Sequence, residues 1–354
     1  MSAPSATVDT QPRGARIVTT GALLLLVAVS ALFFYKWGGA FRALQRTSAT
    51  GRLAVAPDVL MSGGVVRATQ NYFARVWPAL AYGVVIGALV RSTISPAWVA
   101  RWLGRGDRGS NFSEDARGGV AGAVAGAPLM LCSCCVTPIF TGVYERGARL
   151  GSALSMMLAA PGLNVAALLL TFMLLPAPHG VIRTLTAATI VLALAPAIGA
   201  KLEGTVAAGK TPRASLADEP MPATFRELVA RFARSLGYMV LVTVPILVVG
   251  VAASSVLLPH AARLPSVGGV VAVVAVALVG TLIALPTFFE LPLAAMLLQL
   301  GAPGAAVALL VAGPIVNLPS LLVLGRETNA RVALAVGAAV WAASTAAGLV
   351  TMLL

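Results

Sequence analysis

Three cysteines, Cys132, Cys134 and Cys135, fall within four positions of the stretch PLMLCSCCVTP at 128–138, and the chain has no others. On a helix Cys132 and Cys135 share a face; on an extended break Cys132 and Cys134 do. Either way two sulfurs can converge on one ligand. Thiolates select soft partners: Cu(I), zinc, trivalent arsenic or a reactive sulfur species. A structural zinc site wants four ligands, and the two histidines, His179 and His260, stand far off at the ends of predicted spans. No resident metal and no cofactor is therefore expected. The competing reading of each thiol is a small apolar core residue.

Glu290 is the second candidate. The chain has twelve acids, and this one alone lies deep in apolar sequence, ALPTFFELPLAAM. A carboxylate at that depth costs roughly 3 kcal/mol to insert, so it faces a cavity or a partner. It reads as a proton or cation site that couples transport. It follows Pro286 by four residues, as Cys132 follows Pro128. Asn164 and Asn317 stand beside prolines within apolar runs. Each can bind a solute or cap a broken helix.

The elements that must hold these groups are membrane helices. Of 354 residues, 58% are hydrophobic and 10% charged, against the roughly 25% charge of soluble domains. The fold class expected is all-α, a polytopic integral membrane protein with about nine transmembrane helices. Short alternating segments of a β-barrel are missing. The net charge of +13 does not indicate nucleic acid, because the Lys and Arg residues cluster between apolar runs, where loops face anionic headgroups. The predicted spans are 17–35, 72–91, 118–142, 152–175, 181–200, 236–258, 267–289, 292–324 and 331–354. Residues 1–16 read as a disordered tail and 17–35 as an uncleaved leading span. Residues 70–200 form a first half and 236–354 a second. Between them, 201–235 is a polar linker ending in an amphipathic helix, with Phe225, Leu228, Val229, Phe232 and Leu236 at helical spacing.

The two halves are related. Pro138 and Pro292 each precede a glycine by nine positions, Gly147 and Gly301; Gly151 and Gly304 each precede a proline by ten, Pro161 and Pro314; Asn164 and Asn317 follow those prolines by three. Matched interruptions of membrane helices point to a transporter's binding site, because backbone freed by proline must be buried in protein or line a cavity. Pro128, Pro138, Pro161, Pro286, Pro292 and Pro314 are the expected helix breaks.

A Cys-Ser-Cys between prolines, followed by a glycine and a proline-containing helix, and a second half ending AGPIVNLPSL, resembles the bacterial predicted-permease family typified by YraQ. That family is related to the ArsP permeases, which export trivalent organoarsenicals. The resemblance covers most of the chain from about residue 70. It implies a multi-span permease of two related halves, in which the metalloid-binding role maps to Cys132 and Cys134, with Pro128 and Pro138 shaping the break. Cys135 stands where the family pattern has glycine, and APGLN replaces an acidic Pro-Glu-Thr-like stretch.

The expected protein is a carrier of the bacterial inner (plasma) membrane, not an enzyme, with no catalytic residue. It moves a small soft or thiol-reactive solute, a trivalent organoarsenical or metalloid exported from the cell or a sulfur compound. Cys132, Cys134 and Cys135 contact the solute, Asn164 and Asn317 line the opposed breaks, and Glu290 couples protons. Its partners are the lipid bilayer, the solute and, as a homo-oligomer, a second copy of the chain. The alternative is a transmembrane thiol-disulfide electron carrier. That reading needs a reversible pair, and the second half has no cysteine to complete a relay.

Overall fold

In hydrocarbon every backbone N–H and C=O must be satisfied within the segment, so apolar runs of this length fold as helices. The computed structural model describes residues 11–51, 64–104, 112–207, 222, 224–261 and 269–354, and among these every regular element is helical. Helix α1 (Gln11–Thr50) leads; α2 (Gly64–Thr93) and the short α3 (Pro96–Leu103) follow. Ser95 caps α3, and Trp98 and Trp102 lie exposed on it with ring centroids 6.2 Å apart, as interfacial anchors do.

Two similar runs of helices come next. In the first, α4 (Phe112–Gly126) ends in a 3₁₀ turn, and α5 (Ser133–Glu145), α6 (Leu150–Gly162), α7 (Val165–Leu174) and a long helix α8 (Ala177–Thr189) to α9 (Ala195–Ala207) follow. In the second, α10 (Phe225–Tyr238) continues through a π turn into α11 (Val244–Ala261), then α12 (Gly269–Leu282), α13 (Glu290–Gln299), α14 (Pro303–Ile315), α15 (Leu318–Glu327) and α16 (Ala330–Leu353). Gly147 and Gly301, the spaced glycines of the sequence pattern, both sit at positive φ (91° and 72°) in the turns that end α5 and α13. A side chain is strained there and glycine is not. Helices α6 and α14 have 13 residues each, and α7 and α15 have 10 each. Asn164 caps α7 through Oδ1, which accepts from Ala167 N at 3.2 Å; Asn317 caps α15 with Ser320 in a reciprocal box at 3.0 Å each way.

The two middle helices form the centre. Every residue of α6 is buried, and so is α14 apart from its prolines. Small residues let them approach their neighbours: a Cβ on Gly122 or Gly126 of α4 would overlap the α6 backbone at Ser152 and Met156, and Gly304 and Gly348 bring α14 against α16.

Several expectations on spans change. Six described helices are long and apolar enough to cross a membrane, or seven if α14 and α15, bent by 42°, count as one. The nine spans are therefore not seen as nine long helices. The run 118–142 is two helices, α4 and α5, because Pro128 and the following residues leave helical geometry. The run 267–289 is α12 plus a non-helical break. The run 292–324 divides into α13, α14 and α15 at Gly301 and at the Pro314–Asn317 bend. Residues 11–16 already belong to α1, while residues 1–10 lie outside the described residues, as do 208–221 of the linker. The amphipathic helix at the linker's end is the start of a span-length helix, Phe225–Val256.

Candidate functional site

The cysteines sit where the backbone cannot be helical. Pro128 lies in the 3₁₀ turn Ala127–Leu129, Met130 takes a left-handed conformation (φ 48°), and Cys132 is the extended N-cap of α5. Cys134 and Cys135 occupy its first turn. This geometry brings all three sulfurs together, rather than the two that either simple backbone predicts. Sγ of Cys132 is 2.7 Å from that of Cys135 and 3.2 Å from that of Cys134, and the last pair is 3.8 Å apart. All three thiols are free and buried. Tyr72 of α2 completes the cluster, its hydroxyl 3.0 Å from the Cys134 sulfur. Close packing of α2 on α5 holds it there, since a Cβ at Gly83 would overlap the Cys135 carbonyl and one at Gly87 the Pro138 carbonyl. Pro138 lies inside α5, which runs on past it. It removes the N–H that would bond the Cys134 carbonyl.

The second half repeats the device. Pro286 lies in the break before α13, Phe288 is the other non-glycine residue at positive φ (76°) among the described residues, and Glu290 opens α13, with Pro292 in its first turn. Strained backbone at two matched breaks is the kind that clusters at functional sites. The breaks face each other. Cys132, Asn164 and Pro161 from the first half and Pro286, Thr287, Glu290 and Pro314 from the second line one crevice of about 10 Å³, room for about one water. The crevice meets a wider vestibule of about 240 Å³, walled by Met130, Asn164, Thr287 and Phe288 and by Tyr35, Lys36 and Arg42 of α1. Trp37 of α1 donates from Nε1 to the Pro128 carbonyl at 3.3 Å, tying α1 to the first break.

Glu290 is paired, which its sequence alone does not reveal. Arg183 of α8 donates from Nη2 to its Oε1 at 2.9 Å, with side chains 1% and 2% exposed. The same guanidinium donates from Nη1 to Thr171 Oγ1 at 2.7 Å, while its Nε has no hydrogen-bond partner. A signal for Arg183 existed: it is the single cation within the predicted span 181–200, and Glu290 is the buried anion that needs one. Nothing in the sequence marks Tyr72. Asn317 caps α15 through Oδ1 and lines neither cavity, so of the two asparagines the structure brings only Asn164 to the crevice.

Further along α5 the halves are tied a second time. Arg91 of α2 approaches Glu145 at 2.8 Å, a charge contact without hydrogen-bond alignment. Its guanidinium lies 4.4 Å over the ring of Tyr238 on α10, whose hydroxyl donates to Glu327 Oε1 of α15 at 3.5 Å. Arg146 donates from Nε to the Arg91 carbonyl at 2.6 Å.

Three buried sulfurs within 4.8 Å of one another are a donor set for one soft ion or atom, and no further His, Asp or Glu joins them among the described residues. Long apolar helices, bundled and broken at prolines, define a polytopic membrane protein. The chain belongs to the predicted permease family, whose profile matches residues 110–353. It is 29% identical over 279 residues to the UPF0718 protein YraQ of Escherichia coli, covering 76% of each chain. It is 31% identical to a UPF0718 protein of Methanocaldococcus jannaschii over 113 residues, 31% of each chain. No solved structure matches it.

Proposed function

We propose that this permease is a secondary transporter of a small soft or thiol-reactive solute, working by alternating access between its two halves across the crevice. The supporting observation is the convergence of all three thiols on a helix break that faces the matched break of the second half. Cys132, Cys134 and Cys135 contact the solute, whether a trivalent metalloid species or a sulfur compound. Asn164 shapes the crevice, and Asn317 sets the bend opposite it. Glu290 admits the proton. When it is neutral its ion pair with Arg183 is lost, and a buried cation without a partner drives rearrangement. The carrier lies in the bacterial inner membrane.

The test is solute accumulation in inside-out vesicles, with and without a pH gradient, using methylarsenite, arsenite and thiosulfate. Wild-type chain should accumulate at least one of them. Cys132→Ser/Cys134→Ser should accumulate none, and in Glu290→Gln accumulation should ignore the gradient. No accumulation by wild type, together with a Cys132–Cys134 disulfide that cycles with membrane reductants, would replace the permease with the thiol-disulfide electron carrier.

A further inference from the structure

The vestibule carries a charge that the thiol cluster alone does not explain. Its wall contains Lys36 and Arg42, both on α1, and no acidic residue among the described residues. Arg75 of α2 stands just outside, its guanidinium 5.2 Å from the ring of Phe289, next to the vestibule residue Phe288. The one acid of the crevice, Glu290, is neutralised by Arg183. A concave wall of one sign focuses its field and enriches counter-ions. The thiols add to this, because they stand at the N-terminal end of α5, where the helix dipole favours negative charge.

The hydrogen-bonding groups agree. Asn164 is 1% exposed and lines both cavities, with its Oδ1 occupied by Ala167 N. Its amide nitrogen is a donor by type. A thiol S–H is a donor by type, and of the three cysteines Cys132 is the one that lines the crevice. A free Cu(I), zinc or mercuric cation would meet like charge before reaching the sulfurs. We infer that the solute is a small anion bearing a soft sulfur atom, drawn in by Lys36 and Arg42 and received by Asn164 and Cys132 through hydrogen bonds, with no covalent step. This rests on the reading that the cysteines contact the solute, and it narrows the substrate class.

The experiment uses the full chain in lipid nanodiscs and two probes, radiolabelled thiosulfate as the soft anion and phenylarsine oxide as a neutral thiol ligand. Lys36 is partly buried and Arg42 exposed, so Lys36→Gln/Arg42→Gln leaves the core untouched, which an unchanged unfolding temperature checks. That variant should bind thiosulfate about tenfold more weakly and with less salt dependence, yet capture phenylarsine oxide within twofold of wild type. Lys36→Arg/Arg42→Lys should restore thiosulfate binding. The inference is overturned if wild type binds no thiosulfate, if the charge variant binds it normally, or if the variant loses both probes alike. Failure of the underlying reading looks different: Cys132→Ser/Cys134→Ser would then keep wild-type binding of thiosulfate.

Discussion

At the residue scale the central fact is that Arg183 and Glu290 answer each other. An ion pair 1–2% exposed gains little net stability over an apolar pair, but removing one partner strands the other charge. Glu290→Leu and Arg183→Leu should each cost about 3–5 kcal/mol, while the double variant recovers most of that loss. Thermal unfolding of the four chains in one detergent measures it, and additive losses would mean that the two charges do not meet. The thiols and Glu290 were legible in the sequence because polar groups are conspicuous in apolar runs. Arg183 lies near the start of its predicted span, where a long cation can snorkel to the interface, so its sequence position resembles an anchor's. Tyr72 gives no such signal. Its role depends on where α2 crosses α5, which is a tertiary fact.

Helix crossings settle the site at the scale of elements. Gly83 faces backbone, the Cys135 carbonyl, and a carbonyl cannot swing aside as a side chain can. Gly83→Ala should push α2 from α5, separate Tyr72 from Cys134, lower the unfolding temperature and reduce solute uptake at least tenfold. Gly237 is the control, with nothing within 4 Å of its would-be Cβ. Gly237→Ala should leave uptake intact and stabilise α10 by about 0.5–1 kcal/mol through helix propensity. Equal effects of the two substitutions on uptake would remove the crossing from the account. The matched spacing of Gly147 with Gly301 and of Asn164 with Asn317 was readable because each has a local cause, a left-handed turn or a cap. Span boundaries were less so. Hydropathy sees 118–142 and 267–289 as continuous, whereas Met130 and Phe288 show that the chain leaves the helix inside both. The amphipathic stripe of α10 likewise has two physical readings, a surface helix or the end of a span packed on α2, and contacts in the fold decide for the second.

For the molecule as a whole, the question is which side is shut. Glu145 lies 11 residues along α5 from Cys134, roughly 16 Å at helical rise, at the end of that helix and outside the span-length helices. The groups facing it are Arg91 of α2, Tyr238 of α10, Glu327 of α15 and its chain neighbour Arg146. Burial, opposed by Arg91 and Arg146 and reinforced by Glu327, raises the Glu145 carboxyl to about 7. If this side opens, water reaches Glu145 and its pKa returns toward 4.5, so opening releases a proton. The sign follows by linkage. Stability that the closed side draws from a raised carboxyl is fully present below about pH 4.5 and is lost as pH rises through about 7. Raising pH from 6 to 8 should therefore open this side, and Glu145→Gln, which mimics the protonated acid, should keep it closed throughout. Spin labels at Trp98 on α3 and Leu322 on α15, both exposed, report the separation in a chain whose native cysteines are serine. A wild-type distance distribution that widens with pH, and a Glu145→Gln distribution that does not, is the expected pair of results. Distributions that stay fixed in wild type, or that move equally in both, would show that this network holds the halves together without sensing protons. The proposed proton coupling would then rest on the Arg183–Glu290 pair beside the thiols alone.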